Sequence, residues 1–322
     1  MRLASSPELL VPRVVAPRLG LDETAARAPF GLRGPVLTSL ILVYLIWGST
    51  YLALRYVVEV LPPLLASGAR FLLAGGVLFA VLRVRGVPAP TSRQWLVAVP
   101  VGVLMLVVGN GLVAVAQREV PSGAAAASVA SIPLFVALMN RVLGVRPSRR
   151  QWAGLVVGFA GVLVMSVSDA RTSAGNATLL VLAPCGWAMG TVLAARVALP
   201  GGLMSAAVQM ITGGSGALLL GLVTGESATP LFAQPPPLRA ALAFAYLVVF
   251  GSLVAFSAYN YLLQHAPGPV ATSYGYVNPV IAVILGTTLG GERLRATTLL
   301  AGALVVIGVV TIMRGARRAA AQ

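Results

Sequence analysis

Two arginines interrupt a stretch greasy enough to sit in lipid: Arg55 and Arg70, within "IWGSTYLALRYVVEVLPPLLASGARF" from Ile46 to Phe71. An arginine in hydrocarbon costs at least about 2.5–3.5 kcal/mol on insertion scales, and less near a helix end. Each therefore needs a reason. Trp47, Tyr51 and Arg55 recur every fourth residue, which places them along one helical face. Arg55 sits a turn from the end of its run and one turn before Glu59. Snorkelling to the interface, or pairing with Glu59, explains it as well as contact with a solute does. Arg70 lies seven residues past Pro63, about 10 Å into its run at 1.5 Å per residue, too deep for easy snorkelling. It has no acidic neighbour in sequence. Two readings stand: a structural arginine bonded to helix-end carbonyls, or a cation that meets an anionic group on a solute.

The residues that could share that work lie elsewhere in the chain. Trp47 and Trp187 are candidates for two facing cavity walls. Tyr259, Tyr261, Tyr274, Tyr276 and Asn278 cluster late in the sequence, with Tyr274 and Asn278 one turn apart. Tyrosine offers an apolar body and a polar tip, suited to a pocket wall, though some of the five fit an interface belt. Asn110 and Gln117 are seven apart and share a face; buried amides can equally bond across helices. The candidate substrate contacts are thus Trp47, Tyr51, Arg55, Arg70, Asn110, Gln117, Trp187, Tyr259, Tyr274 and Asn278. Acids are missing from the apolar cores: Glu59, Glu119, Asp169, Glu226 and Glu292 all fall at run ends or loops. The single histidine, His265, is at a run end, and the single cysteine, Cys185, excludes an intrachain disulfide. No metal or cofactor site is expected. Two arginines without a buried acid favour a carboxylate-bearing or zwitterionic solute over an organic cation, and leave a proton relay without an obvious carrier.

The elements that must position these residues follow from composition. Of 322 residues 58% are hydrophobic and only 10% charged, with a mean hydropathy of +0.90. Soluble domains carry about a quarter charged residues. Continuous apolar runs of span length indicate helices rather than a barrel. Ten spans are expected: 36–58, 63–82, 95–116, 122–143, 151–168, 177–197, 203–223, 239–263, 269–290 and 296–313. Pro133, Pro184 and Pro279 are expected to kink their helices, and Gly154, Gly158, Gly161, Gly75 and Gly76 to form close-packed seams. Residues 1–35 read as a disordered tail and 315–322 as a short one. The net charge of +15 does not indicate nucleic acid, because the arginines concentrate in loops and tails on one side. With both termini inside, sixteen lie inside and five outside, as the positive-inside rule requires. The expected surroundings are the lipid bilayer and a small-molecule substrate, with the chain a monomer or homodimer.

The chain also repeats itself. "GFAGVLVM" near Gly161 aligns with "GALVVIGVVTIM" near Gly308 at an offset of 147, and "SIPLF" around Pro133 matches "VNPVI" around Pro279. Five spans per copy force the second copy to enter from the opposite side, an inverted repeat of the kind secondary transporters use. The stretches "WGSTYLALRYVVEVLPPLLASGARFLLAG", "VPSGAAAASVASIP", "GWAMGTVLAARVALP" and "SAYNYLLQHAPGPVATSYGYVNPVIAVILGTTLGGE" resemble the EamA-type transporters of the drug/metabolite transporter superfamily. The resemblance covers roughly residues 36–314, as two repeats at 36–168 and 177–314. It implies ten helices, termini inside, a central cavity and export of small metabolites or drugs from a bacterial inner membrane. One departure is that Gly291-Glu292 has no counterpart in the first copy, where Gly144-Val145 stands. Rival classes fare worse. A prenyl-type transferase needs acidic clusters for magnesium, and a rhomboid-like protease needs a buried Ser–His pair. No repeated filter motif suggests a channel. A multidrug carrier and a non-transporting scaffold remain as alternatives.

Overall fold

Apolar side chains all round, with backbone polar groups that lipid cannot satisfy, leave helix as the only open solution for these runs. The computed structural model describes residues 34–144, 149–168, 173–227, 235–266, 268–291 and 296–319. The helices are α1 (Gly34–Val58), α2 (Pro63–Val84), α3 (Ser92–Ala116), α4 (Ser122–Val129), α5 (Ile132–Val142), α6 (Arg149–Ser168), α7 (Ala174–Ala194), α8 (Leu203–Val223), α9 (Leu238–His265), α10 (Gly268–Ala271), α11 (Tyr274–Thr288) and α12 (Ala296–Ala319). Among the described residues seven helical stretches are long and apolar enough to cross a membrane, and Val277–Thr288 is a shorter apolar one. The chain is thus an all-helical, polytopic membrane protein. Leu45, Leu73, Leu219 and Leu222 stand exposed on its outer faces, where hydrocarbon rather than water suits them.

Local chemistry sets the ends. Pro63 starts α2, where its missing N–H costs nothing. Thr91 and Gln94 close a capping box at the start of α3, so this helix begins three residues before the expected 95. Ser173 caps α7 by accepting from the Asn176 N–H. The expected span 122–143 is two helices, α4 and α5. Pro133 clashes with the carbonyl four residues back, and α4 ends at that residue, Val129. Pro133 therefore opens α5 and does not kink a continuous helix. The expected span 269–290 is likewise divided, by a turn at Thr272–Ser273 between α10 and α11. Pro184 and Pro279 do lie inside α7 and α11. The last helix runs on to Ala319, past the expected end at 313. Residues 1–33, Asp169, Arg171 and Glu292 lie outside the described residues.

Two helices contain π-helical stretches, Val103–Gly111 in α3 and Leu247–Val254 in α9. Such windings are rare and gather at functional sites.

The packing exchanges partners between the early and late helices. α2 lies on α8 and α6 on α12; α1 lies on α9 and α11, while α7 lies on α3 and α5. Small residues permit the closest approaches. A Cβ on Gly68 would meet the Gly214 carbonyl at 2.8 Å, and one on Gly75 would meet Met210 Cβ at 2.8 Å, whereas Gly76 faces open space. A Cβ on Gly308 would meet the Gly154 carbonyl at 2.6 Å, so the glycine seam of α6 receives α12.

The buried apolar side chains form two main clusters, one towards each end of the bundle. One joins Val43, Phe71, Met105, Trp187, Met210, Phe256 and Leu262. The other joins Leu54, Val57, Leu61, Val113, Ala116, Val120, Leu180, Ala243 and Leu247. The candidate site lies where they meet.

Candidate functional site

Between the two clusters is a cavity walled by α1, α2, α3 and α7, with α4, α5, α9 and α11 completing it. Its lining includes Trp47, Thr50, Tyr51 and Leu54 from α1, Arg70 and Phe71 from α2, and Gly109, Asn110 and Val113 from α3. Ala183, Pro184 and Trp187 come from α7, Gly251 and Phe256 from α9, and Tyr274 from α11. Val129 and Ile132 flank the α4–α5 break. The cavity measures about 60 Å³, room for a handful of waters at roughly 10–15 Å³ each.

Arg70 is the charged residue of this wall and is 4% exposed. Its Nη2 donates to Asn110 Oδ1 at 2.6 Å, and its Cζ lies 4.3 Å from the centroid of the Phe71 ring. Its Nε has no acceptor. Among the described residues no carboxylate forms an ion pair with it; the pairs that exist are Arg55–Glu59 and Arg239–Glu59. The guanidinium is thus anchored by a neutral amide and a ring, and its charge is left without an anion. An arginine fork suits a planar carboxylate, to which it can give two parallel N–H bonds.

The same cavity is lined by an aromatic group. The Trp47 and Trp187 rings meet edge to face with centroids 5.5 Å apart, and Tyr274 meets Trp47 edge-on at 5.0 Å. Tyr259 lies behind, 5.0 Å from Trp47 and 5.6 Å from Tyr274, its hydroxyl 3.1 Å from Thr191 Oγ1. Trp47 Nε1 donates to the Gly251 carbonyl at 3.1 Å. Trp187 Nε1 and the Tyr274 hydroxyl are buried without a hydrogen-bond partner. The wall therefore carries several donors short of acceptors: Arg70 Nε, Trp187 Nε1 and the Tyr274 hydroxyl. Such groups want an acceptor-rich guest.

Six of the ten candidates named from sequence line this cavity: Trp47, Tyr51, Arg70, Asn110, Trp187 and Tyr274. Four do not. Tyr259 forms the layer behind. Asn278, with its amide nitrogen turned inward, donates to the Tyr274 and Tyr44 carbonyls at 3.2 and 3.3 Å. Gln117 shares a face with Asn110 but sits about 10 Å further along α3 at 1.5 Å per residue, where its Nε2 donates to the Tyr51 carbonyl at 3.0 Å. Arg55 reaches Glu59 at 3.2 Å. A spacing of four drifts about 40° per step round a helix, so the face begun by Trp47 has turned by the time it reaches Arg55. Tyr261 stacks on His265 with centroids 4.0 Å apart, and the Tyr276 side chain lies outside the described residues. The residues sequence reasoning missed include Thr50, Gly109, Gly251 and Phe256. Gly109 and Gly251 each sit in a π-helical stretch, and a Cβ on either would press on Trp187 at 2.9 Å or Thr50 at 3.0 Å. Glycine in mid-span was the available signal.

Residues 35–167 and 176–314 each match the EamA-like transporter family. The chain belongs to that family. It is 41% identical over 283 residues to the inner membrane transporter YedA of Escherichia coli, covering 87% of this chain and 91% of that one. It is 24% identical to the transporter YvbV of Bacillus subtilis over 86% of this chain and 91% of the other, and 25% identical to protein PecM of Dickeya dadantii over 83% and 90%. One crystal structure superposes with a TM-score of 0.64 at 21% identity, over 88% of this chain and 98% of that chain, and shares its fold. The protein is therefore a membrane transporter of the drug/metabolite transporter superfamily, and YedA and YvbV are named as transporters.

Proposed function

We propose that this EamA transporter is a ten-helix carrier of two inverted repeats, 36–168 and 177–314. In this reading it moves small carboxylate-bearing solutes, amino acids among them, out of the cell by alternating access. The observation that carries the substrate class is Arg70: a buried guanidinium in the cavity wall, held by Asn110 and Phe71 and left without an anion among the described residues. Burying a charge unpaired is expensive, and a guest that brings the anion offsets that cost when it binds. The aromatic part of the cavity lining suits an apolar or cationic remainder of the same solute.

The two family matches support the repeat, as do the exchanged packing of α1 on α9 and α11 with α7 on α3 and α5, and the π-helical stretch in each third span. The arginine bias supports inside termini, and the naming of YedA supports an inner-membrane location. The cavity lies near mid-helix at the interface of the halves, where inverted-repeat carriers place their sites.

The test is solute counterflow in proteoliposomes. Saturable exchange of amino acids or simple carboxylates, with no exchange of quaternary ammonium compounds, is the expected result. Good transport of quaternary cations and none of carboxylates would make the multidrug reading correct, and no flux of either would leave a scaffold.

A further inference from the structure

Three carboxylates sit at one end of the bundle, the end where α1, α3 and α8 finish, and each binds across the two halves. Glu59, after α1, accepts from Arg239 Nη2 at the start of α9 at 3.0 Å. Glu119, after α3, accepts from Asn176 Nδ2 in the first turn of α7 at 2.6 Å. Glu226, after α8, accepts from the backbone N–H groups of Leu64 and Leu65 in the first turn of α2 at 3.0 and 2.9 Å. A fourth tie runs between the same halves, from the Tyr56 hydroxyl to the Leu289 carbonyl at 3.0 Å. Next to these ties is the second apolar cluster, which includes Val57, Leu61, Val120 and Leu180. Leu54 and Val113 belong to both the cluster and the cavity wall.

The other end is tied differently. Among the described residues the side-chain ties between halves there are neutral: the Tyr44 hydroxyl to Ser273 Oγ at 2.6 Å is one. Within the second half, Gln264 Nε2 donates to the Gly202 carbonyl at 3.3 Å and Gln209 Nε2 to Asn260 Oδ1 at 3.0 Å. Hydrogen bonds to an ionised group are roughly twice as strong as neutral ones. The carboxylate end is thus the better fastened one.

We propose that Glu59, Glu119 and Glu226 are the gate clasp of the transport cycle: they hold this end shut over the apolar plug, and solute passes that end only when all three have let go. Their chemistry is separable from binding, because none lines the cavity. Glu59 also restrains its own helix, since it lies between Arg55 at 3.2 Å and Arg239 at 3.0 Å.

The inference rests on alternating access, but its first readout, side-specific labelling, needs no substrate, so an error in substrate class leaves that test intact. Leu54→Cys is placed in a Cys185→Ser background, and the full chain in sealed liposomes is treated with a charged, membrane-impermeant thiosulfonate reagent on one side or the other. A separate cysteine at exposed Gly201, at the opposite end of the bundle, tells the sides apart. The triple variant Glu59→Ala, Glu119→Ala, Glu226→Ala is expected to raise labelling of Leu54→Cys from the clasp side by about tenfold or more, as a shift of a two-state population does, with no rise from the other side. An unchanged rate, or an equal rise from both sides, overturns the clasp. If the parent protein already labels equally from both sides, alternating access itself fails. A second measurement stands without the triple variant: Glu119→Cys with Asn176→Cys, bridged by a bifunctional thiosulfonate, is expected to stop transport and to regain it on reduction. Full transport while bridged overturns the proposal.

Discussion

Replacing Arg70 by methionine should abolish tight binding while leaving the fold intact. Methionine keeps much of the stem and removes the guanidinium. What would be lost on binding is the proposed two-pronged contact to a carboxylate, made by an arginine that is 4% exposed. Truncating one partner of a buried, hydrogen-bonded charge pair costs about 2–5 kcal/mol, a weakening of at least about 30-fold at 1.4 kcal/mol per decade. What is lost from the fold is smaller. Among the described residues this side chain makes one hydrogen bond, to Asn110 Oδ1, and a bond from a charged donor of that kind contributes about 1.5–3 kcal/mol. Relief of the buried, unpaired charge works in the opposite direction. Counterflow in proteoliposomes should therefore collapse while the unfolding midpoint in detergent moves little. Arg70→Lys keeps charge but loses the planar fork, and should fall between, weakened by about tenfold. Two results would refute the reasoning. One is normal transport by stable Arg70→Met. The other is a midpoint lowered by the about 3–5 kcal/mol expected on breaking a buried ion pair, with transport lost in step.

Gly109→Ala would push a Cβ to within 2.9 Å of the Trp187 ring, and overpacking of that kind costs about 1–3 kcal/mol; uptake of bulky solutes should fall before that of small ones in a size series. Gln117→Leu removes the bond to the Tyr51 carbonyl together with an unsatisfied Oε1. The two nearly cancel, so stability should stay within about 1 kcal/mol, and half-saturation for transport should not change. Gly308→Ala brings a Cβ to 2.6 Å from the Gly154 carbonyl, against backbone that cannot rotate away. The α6–α12 seam must open, and the detergent midpoint should drop by an amount equivalent to about 1–3 kcal/mol.

The helices were legible because an apolar run of span length has few other solutions in lipid. Their interruptions were harder to read. Pro133 was visible, but whether it bends a helix or starts one depends on the turn that Ser128 and Ser131 build ahead of it, where each hydroxyl donates to a carbonyl three residues back. The π-helical stretches left no periodic mark in runs that are apolar on every side. At the site, Arg70 stood out because its depth in the span could be counted from Pro63. Arg55 looked similar, yet the drift of a four-residue spacing carries it off the cavity and onto Glu59. Gln117 failed as a candidate through depth, which a helical wheel discards. Gly109, Gly251 and Thr50 were missed because sequence presents small residues as packing, and only the fold says which of them line the cavity.

A helix that changes from four-residue to five-residue hydrogen bonding absorbs an extra residue without a loop. The stretches Val103–Gly111 and Leu247–Val254 act as reservoirs of length inside the membrane. Chains sharing this fold can thus gain or lose a residue in mid-span near 103–111 or 247–254, where gaps are usually judged forbidden. An indel that the winding does not absorb re-aims every side chain beyond it by about 100°, the advance of one residue in an α-helix. Deleting one residue before Asn110 would swing its amide off Arg70. The winding of α3 therefore acts as a dial on the wall that meets the solute.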